Sequence, residues 1–347
     1  MHALNRWFTP LLGACLLLTG AHAATVQPPG AQVMMDALTR ANAAVVGVRV
    51  TAASDARSAE TLGQRRSGSG VVIGQDGLIL TIGYLLLEAE QIEIVTQDNK
   101  TLPARAVAYD LATGFGLLRP LLPLRGISAA ALGSSQELTP GEPLIAMTGP
   151  QANDDGEVSM TRLVSKRAFS GNWEYHIESA LFTSPPVPAS GGNHSGAPLF
   201  NSRGELLGIG SLFVSNAAAD NVRLPGNMFV PVDLLRPILA ELQQSGTSGK
   251  SRRPWLGLTS NDQSGRVQIM RVSKDSPAQL AGLGAGDVVL AVDGATVATL
   301  EAFYKKLWDR AAPDTEVSLT VLQGADVKTI VLKAQDRLLT LKKPSGI

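Results

Sequence analysis

Ser195 stands in Asn193-His194-Ser195-Gly196-Ala197-Pro198-Leu199, a tight, small-residue turn of the kind that presents a nucleophile. A serine hydroxyl attacks a carbonyl only when a neighbouring base takes its proton. The chain has four histidines to offer, and two of them, His2 and His22, fall in an apolar leader. His194 directly precedes Ser195, and adjacent side chains in a tight turn point apart, so it is expected as a solvent-facing loop residue. His176 lies in Trp173-Glu174-Tyr175-His176-Ile177-Glu178, where alternation predicts a strand and a half-exposed histidine. Neither is the expected partner of Ser195.

Several separated blocks carry a family pattern. Ser67-Gly68-Ser69-Gly70-Val71-Val72-Ile73, Gly77-Leu78-Ile79-Leu80-Thr81, Tyr109-Asp110-Leu111-Ala112-Thr113 and Ser195-Gly196-Ala197-Pro198-Leu199-Phe200-Asn201 resemble, in order and spacing, the HtrA (high-temperature-requirement A) family. That resemblance implies a predominantly all-β chain, a chymotrypsin-like double β-barrel followed by a PDZ domain, itself a small α+β fold. It also implies a catalytic triad, and here the chain departs from the pattern. Thr81-Ile82-Gly83 leads to Tyr84 where the family has the triad histidine, and Asp110-Leu111-Ala112-Thr113 leads to Gly114 where the family has the triad acid. Ser195 keeps the nucleophile position. The family's oxyanion hole maps onto the backbone N–H groups of Asn193 and Ser195, with asparagine replacing a glycine that would reach unusual φ/ψ regions more freely. Upstream, residues 183–192 form a proline-rich stretch longer than its family counterpart, so a remodelled loop is expected beside the old site.

The chemical cost of these departures follows without the family. Losing a triad member costs roughly 10^4- to 10^6-fold in rate. An ordinary tyrosine titrates near pH ~10 and holds about one phenolate per thousand molecules at pH 7, so Tyr84 is no simple substitute for histidine. Ser-Gly-x-Pro-Leu is also a turn into the next strand, Glu205 to Gly210, which makes Ser195 readable as a structural relic.

A second block resembles the HtrA PDZ core almost position for position: Ser276-Pro277-Ala278-Gln279-Leu280-Ala281-Gly282-Leu283 and onward to Asp293-Gly294. Ser276 is suited to cap a short helix and Asp293-Gly294 to turn a hairpin. Trp255, Leu256, Gly257 and Leu258 match the loop with which PDZ domains grip a peptide's terminal carboxylate through backbone N–H groups while the peptide adds a strand to the sheet edge. A plain strand opening the domain is the alternative reading. In the helix over 301–308, Phe303 and Leu307 share one face, expected to be core.

The 347 residues, 44% of them hydrophobic and 17% charged, suit two globular domains and a leader. Arg6, an apolar run through Leu18 and the small-x-small Ala21-His22-Ala23 predict a cleavable signal peptide over 1–23 and a periplasmic or otherwise exported protein. The apolar run falls short of the roughly 20 residues that span a bilayer, so no integral span is expected in the mature chain. Leu12-Gly13-Ala14-Cys15 only loosely resembles a lipoprotein box. Cys15 is the single cysteine, so disulfides, thiol chemistry and a His/Cys metal site are not expected after cleavage, and no cofactor is called for. A formal net charge of zero gives no sign of nucleic acid as partner.

The expected layout is a trypsin-like (pseudo)protease domain over 24–243, a flexible polar linker over 244–253, the PDZ domain over 254–338 and a tail over 339–347. HtrA proteins often trimerise through N-terminal aromatic residues, which the segment from Ala24 to Val45 lacks, so a homo-oligomer, a trimer included, and assembly with a paralogous HtrA protease stay open. Two functional readings remain. One is a catalytically inactive HtrA-like pseudoprotease binding C-termini or unfolded segments as adaptor, scaffold or chaperone-like protein. The other is a serine endopeptidase of periplasmic protein quality control with a rearranged site using Ser195.

Overall fold

Short runs rich in valine, isoleucine and leucine, punctuated by glycine and proline, make strands that bury one face and close on themselves, which leaves no open sheet edge. The computed structural model describes residues 30–151, 154–187, 194–219, 222–310 and 312–343. The expected signal peptide, Asn193, the 188–192 part of the proline-rich loop and residues 344–347 of the tail lie outside the described residues.

Helix α1 (Ala31–Ala43) leads into β1 (Val45–Ala52), then a one-turn helix α2 (Ala59–Leu62), β2 (Arg65–Val72), β3 (Ile79–Ile82), β4 (Ala89–Val95), β5 (Thr101–Tyr109) and β6 (Phe115–Pro120). These six strands form a closed barrel in the order β1-β2-β3-β6-β5-β4. Strands β7 (Pro143–Met147), β8 (Val158–Gly171), β9 (Tyr175–Ser184), β10 (Pro198–Phe200), β11 (Leu206–Val214) and β12 (Gly226–Pro231) form a second, in the order β10-β11-β12-β9-β8-β7. Val48, Ile79, Leu80, Ile94, Phe115 and Leu117 fill the first barrel, and Leu144, Leu181, Leu199 and Phe229 the second. The barrels are joined where β2 meets the Ser195 turn: the Ser69 N–H donates to the Ser195 carbonyl at 2.8 Å, and the Gly149 N–H to Ser69 Oγ at 2.8 Å.

After β12, helix α3 covers Leu239–Ser245, beyond Pro237, which lacks an N–H and disfavours helical geometry in the residue before it. The segment expected as a flexible linker is pinned instead. Ser248 and Ser251 are buried, and both hydroxyls donate to the buried Asp110 carboxylate at 2.5 Å. Serine hydroxyls with an acceptor inside the fold turn a polar, loop-like sequence into a fixed connection.

The second domain contains β13 (Pro254–Trp255), β14 (Leu258–Asn261), β15 (Val267–Val272), helix α4 (Pro277–Leu280), β16 (Val288–Val292), β17 (Ala295–Thr296), helix α5 (Leu300–Trp308), β18 (Glu316–Gln323), β19 (Asp326–Lys333), β20 (Gln335–Asp336) and helix α6 (Arg337–Thr340). Its main sheet runs β14-β15-β16-β18-β19, with β14 at the edge. Ser276 caps α4 as expected, its side chain accepting from the Gln279 N–H. Asp293 and Gly294 both have positive φ and turn β16 into β17. Phe303 and Leu307 are fully buried in this domain's own core.

Candidate active site

Tyr84 sits in a 3-10 turn, Gly83–Leu86, entered directly from β3. Two neighbours set that turn. Glycine is needed at 83 because a Cβ there would lie 2.3 Å from the Tyr109 ring. The buried Arg66 guanidinium, reaching from β2, donates to the carbonyls of Tyr84 at 3.2 Å and Leu87 at 2.7 Å, and to Ser58 Oγ at 2.7 Å. A fixed fork of donors with no acceptor capacity is well suited to clamp several carbonyls of one turn.

The clamp delivers the phenol to Ser195. Tyr84 Oη lies 2.6 Å from Ser195 Oγ and 2.8 Å from the carbonyl oxygen of Ser211 on β11. The phenol has one proton, and the Ser211 carbonyl can only accept it. With that proton given to the carbonyl, the Ser195 hydroxyl donates to the phenol oxygen. Burial pushes the Tyr84 phenol up to about 12, against the opposing pull of the Ser195 hydrogen bond. At that value about one molecule in 10^5 holds a phenolate at pH 7. Ser195 itself is buried, 8% exposed, so the hydroxyl is packed under the tyrosine rather than presented to solvent.

Gly114 follows the Asp110 stretch with φ +83°, and its carbonyl accepts the Gly83 N–H at 2.7 Å, next to Tyr84. A Cβ at 114 would stand 3.2 Å from the Tyr175 hydroxyl, which itself donates to the Thr113 carbonyl at 2.6 Å. The nearest acid, Asp110, turns the other way. Its carboxylate accepts from Thr113 and from the backbone and hydroxyls of the connection between domains.

The histidines differ from expectation in environment. His194 is half-buried rather than solvent-facing, and its Nδ1 has no hydrogen-bond partner among the described residues. Burial lowers its pKa. His176 is buried rather than half-exposed. Its Nδ1 lies 2.9 Å from Ser170 Oγ and its Nε2 3.5 Å from a Glu178 oxygen. Alternation fails to forecast this because the second domain packs over that face, with Lys305 of α5 pairing with Glu178 at 2.9 Å and Glu301 at 2.7 Å. No metal was expected in the chain. His176, Glu178 and Glu301 nevertheless come together with ligand atoms within 4.8 Å, and the Lys305 ammonium supplies a cation to both carboxylates there.

Two family profiles match this chain: the trypsin-like peptidase domain over residues 68–209 and the PDZ domain over 254–334. Among curated proteins, a "Probable periplasmic serine endoprotease DegP-like" of Marinomonas sp. is 30% identical over 256 residues, covering 68% of this chain and 50% of the relative. The protein of the same description from Halomonas elongata is 28% identical, covering 79% and 57%. The chain belongs to the HtrA family.

Solved structures agree in fold. "HtrA-type protease AlgW with decapeptide" superposes with a TM-score of 0.53 at 20% identity, covering 90% of this chain and 99% of that one. The serine endoprotease from Yersinia pestis does so at 0.54 and 21%, covering 89% and 99%. This HtrA chain spans about half the length of the curated relatives it matches. Those relatives are named periplasmic. Among the described residues no helix is long and apolar enough to cross a membrane.

The loop expected to grip a peptide carboxylate is formed from Trp255 to Leu258. Gly257 has φ +86°, and a Cβ there would meet the Ser276 Cβ at 2.3 Å, so both the conformation and the space demand glycine. The N–H groups of Leu256, Gly257 and Leu258 converge on one side of the loop. The structure thus brings Tyr84 together with Ser195, sets Gly114 behind them and forms the 255–258 cradle. Sequence reading missed Arg66, which ends a polar run, and Glu174, which carried no signal within its own segment.

Proposed function

We propose that this HtrA-family chain is an exported pseudoprotease, with Tyr84 in the place of the triad histidine, Gly114 in the place of the acid and Ser195 as an unactivated nucleophile relic. The observation that carries this reading is the 2.6 Å contact between the Tyr84 and Ser195 hydroxyls. A phenol pushed up to about 12 withholds general-base help, and its ring stands where the base must. Without base and orienting acid the chain forgoes on the order of 5 to 8 kcal/mol of barrier reduction. The scaffold then serves to hold peptide or protein C-termini and unfolded segments in the PDZ cradle at 255–258, outside the cytoplasm, as adaptor or chaperone-like protein. Turnover of unfolded casein by the purified mature chain tests the inactive half. Equal, background-level turnover by wild type and Ser195→Ala is expected, and Ser195-dependent turnover overturns it in favour of an endopeptidase with a rearranged site.

A further inference from the structure

The carboxylate cradle of the PDZ domain already holds a carboxylate. Glu174, in the turn between β8 and β9 of the second barrel, accepts from Gly257 N–H and Leu258 N–H at 2.8 Å each through Oε1, and from Leu256 N–H at 3.1 Å through Oε2. These donors are the ones that a PDZ loop aims at a peptide's terminal carboxylate. The backbone continues the likeness. Two residues before Glu174, the Asn172 carbonyl accepts the Ser260 N–H at 2.9 Å, on the free edge of β14. From Asn172 to Glu174 the chain runs toward the loop, opposite to β14, as an added antiparallel strand would.

The contact is built rather than incidental. Glu174 is only 3% exposed, and its φ of +59° is unusual for a residue other than glycine. Such a conformation costs about 1 kcal/mol or more and persists where surrounding contacts fix it. Tyr304 of α5 supplies a clasp: its hydroxyl donates to the Gly171 carbonyl at 2.7 Å and accepts the Glu174 N–H at 3.2 Å. The Arg253 guanidinium, stacked 3.6 Å over the Trp308 ring, reaches the Leu111 carbonyl, and Arg337 donates to the Trp173 carbonyl at 3.3 Å.

We propose that Glu174 is an internal ligand of the PDZ domain, its side chain standing in for a C-terminal carboxylate, so that a peptide bearing a free C-terminus enters only by displacing the β8–β9 turn. The competition half of this inference rests on the peptide-capture reading above; the internal-ligand half does not. Displacement frees the turn, the strand edge of β14 and the Tyr304 hydroxyl together, which couples ligand capture to release of one domain from the other.

The test uses the full mature chain as wild type, Glu174→Ala and Glu174→Gln. Amide hydrogen exchange is read at Leu256, Gly257 and Leu258, with Val317 and Leu319 in the domain core as the check on folding. Binding is read by fluorescence anisotropy with a fluorescein-labelled peptide pool randomised at its last four positions, with free C-termini or amidated. Glu174→Ala is expected to lose tenfold or more of the protection at the three loop amides, with core amides unchanged, and to bind the free-carboxylate pool at least tenfold more tightly than wild type. Glu174→Gln, which keeps one acceptor oxygen, should fall between. Unchanged loop protection in both variants overturns the internal-ligand assignment. Lost protection without binding of either pool upholds the internal ligand and removes the capture reading on which competition rests.

Discussion

At Tyr84 a phenol lies against the Ser195 hydroxyl, and burial makes that phenol harder to ionise than a free one. The same holds for the chain's other tyrosines. Burial raises Tyr109, Tyr175 and Tyr304 as well, and the chain has four in all. Absorbance at 295 nm should therefore show no tyrosinate near pH 10 in the native state. A residue whose proton is held more tightly when folded loses folding stability as pH climbs from its unfolded pKa toward its folded one. For Tyr84 that window runs from 10 to about 12 and amounts to about 2 to 3 kcal/mol. One tyrosine titrating near 10 in the folded chain contradicts this account. Restoring the base alone should not restore chemistry. Tyr84→His has no carboxylate to orient it, and adding Gly114→Asp forces a side chain into φ +83° against the Tyr175 hydroxyl. Casein turnover by the single and double variants is expected to stay within tenfold of wild type, and a gain of a hundredfold or more counts against the reading.

Among the elements, the connection between domains shows how polar residues can fix a segment. Asp110 is fully buried and accepts from Thr113, Ser248 and Ser251. Removing its carboxylate strands several donors, so Asp110→Ala should lower stability by about 3 kcal/mol, read as a shifted midpoint in urea. Gly257→Ala, strained by φ +86° and by Ser276, should break the cradle and lower protection at the Leu256 and Leu258 amides while leaving the barrels intact. Elements with local signals were legible in the sequence: the Ser276 cap, the Asp293-Gly294 turn and the strand expected over Glu205 to Gly210, which is β11. The polar run 244–251 read as flexible because its acceptor lies far off in sequence, 138 residues from Ser248.

On the scale of the whole molecule, the second barrel and the PDZ domain meet at the β8–β9 turn, and that meeting decides what is available for binding. Family motifs made both domains, the departures from the family pattern at Tyr84 and Gly114 and the kept serine at 195 legible, because each sits in a run that reads continuously along the chain. The partner of the PDZ loop was not legible. Glu174 and Gly257 are 83 residues apart, and alternation around Glu174 resembles any half-buried strand. The proposed function makes this chain a protease scaffold that binds without cleaving. Reaction of the full mature chain with a fluorophosphonate probe tests it most directly, with Ser195→Ala alongside. The account predicts no labelling of either protein from pH 6 to 9, whereas labelling of wild type that disappears in Ser195→Ala would contradict it and require a working base at the serine.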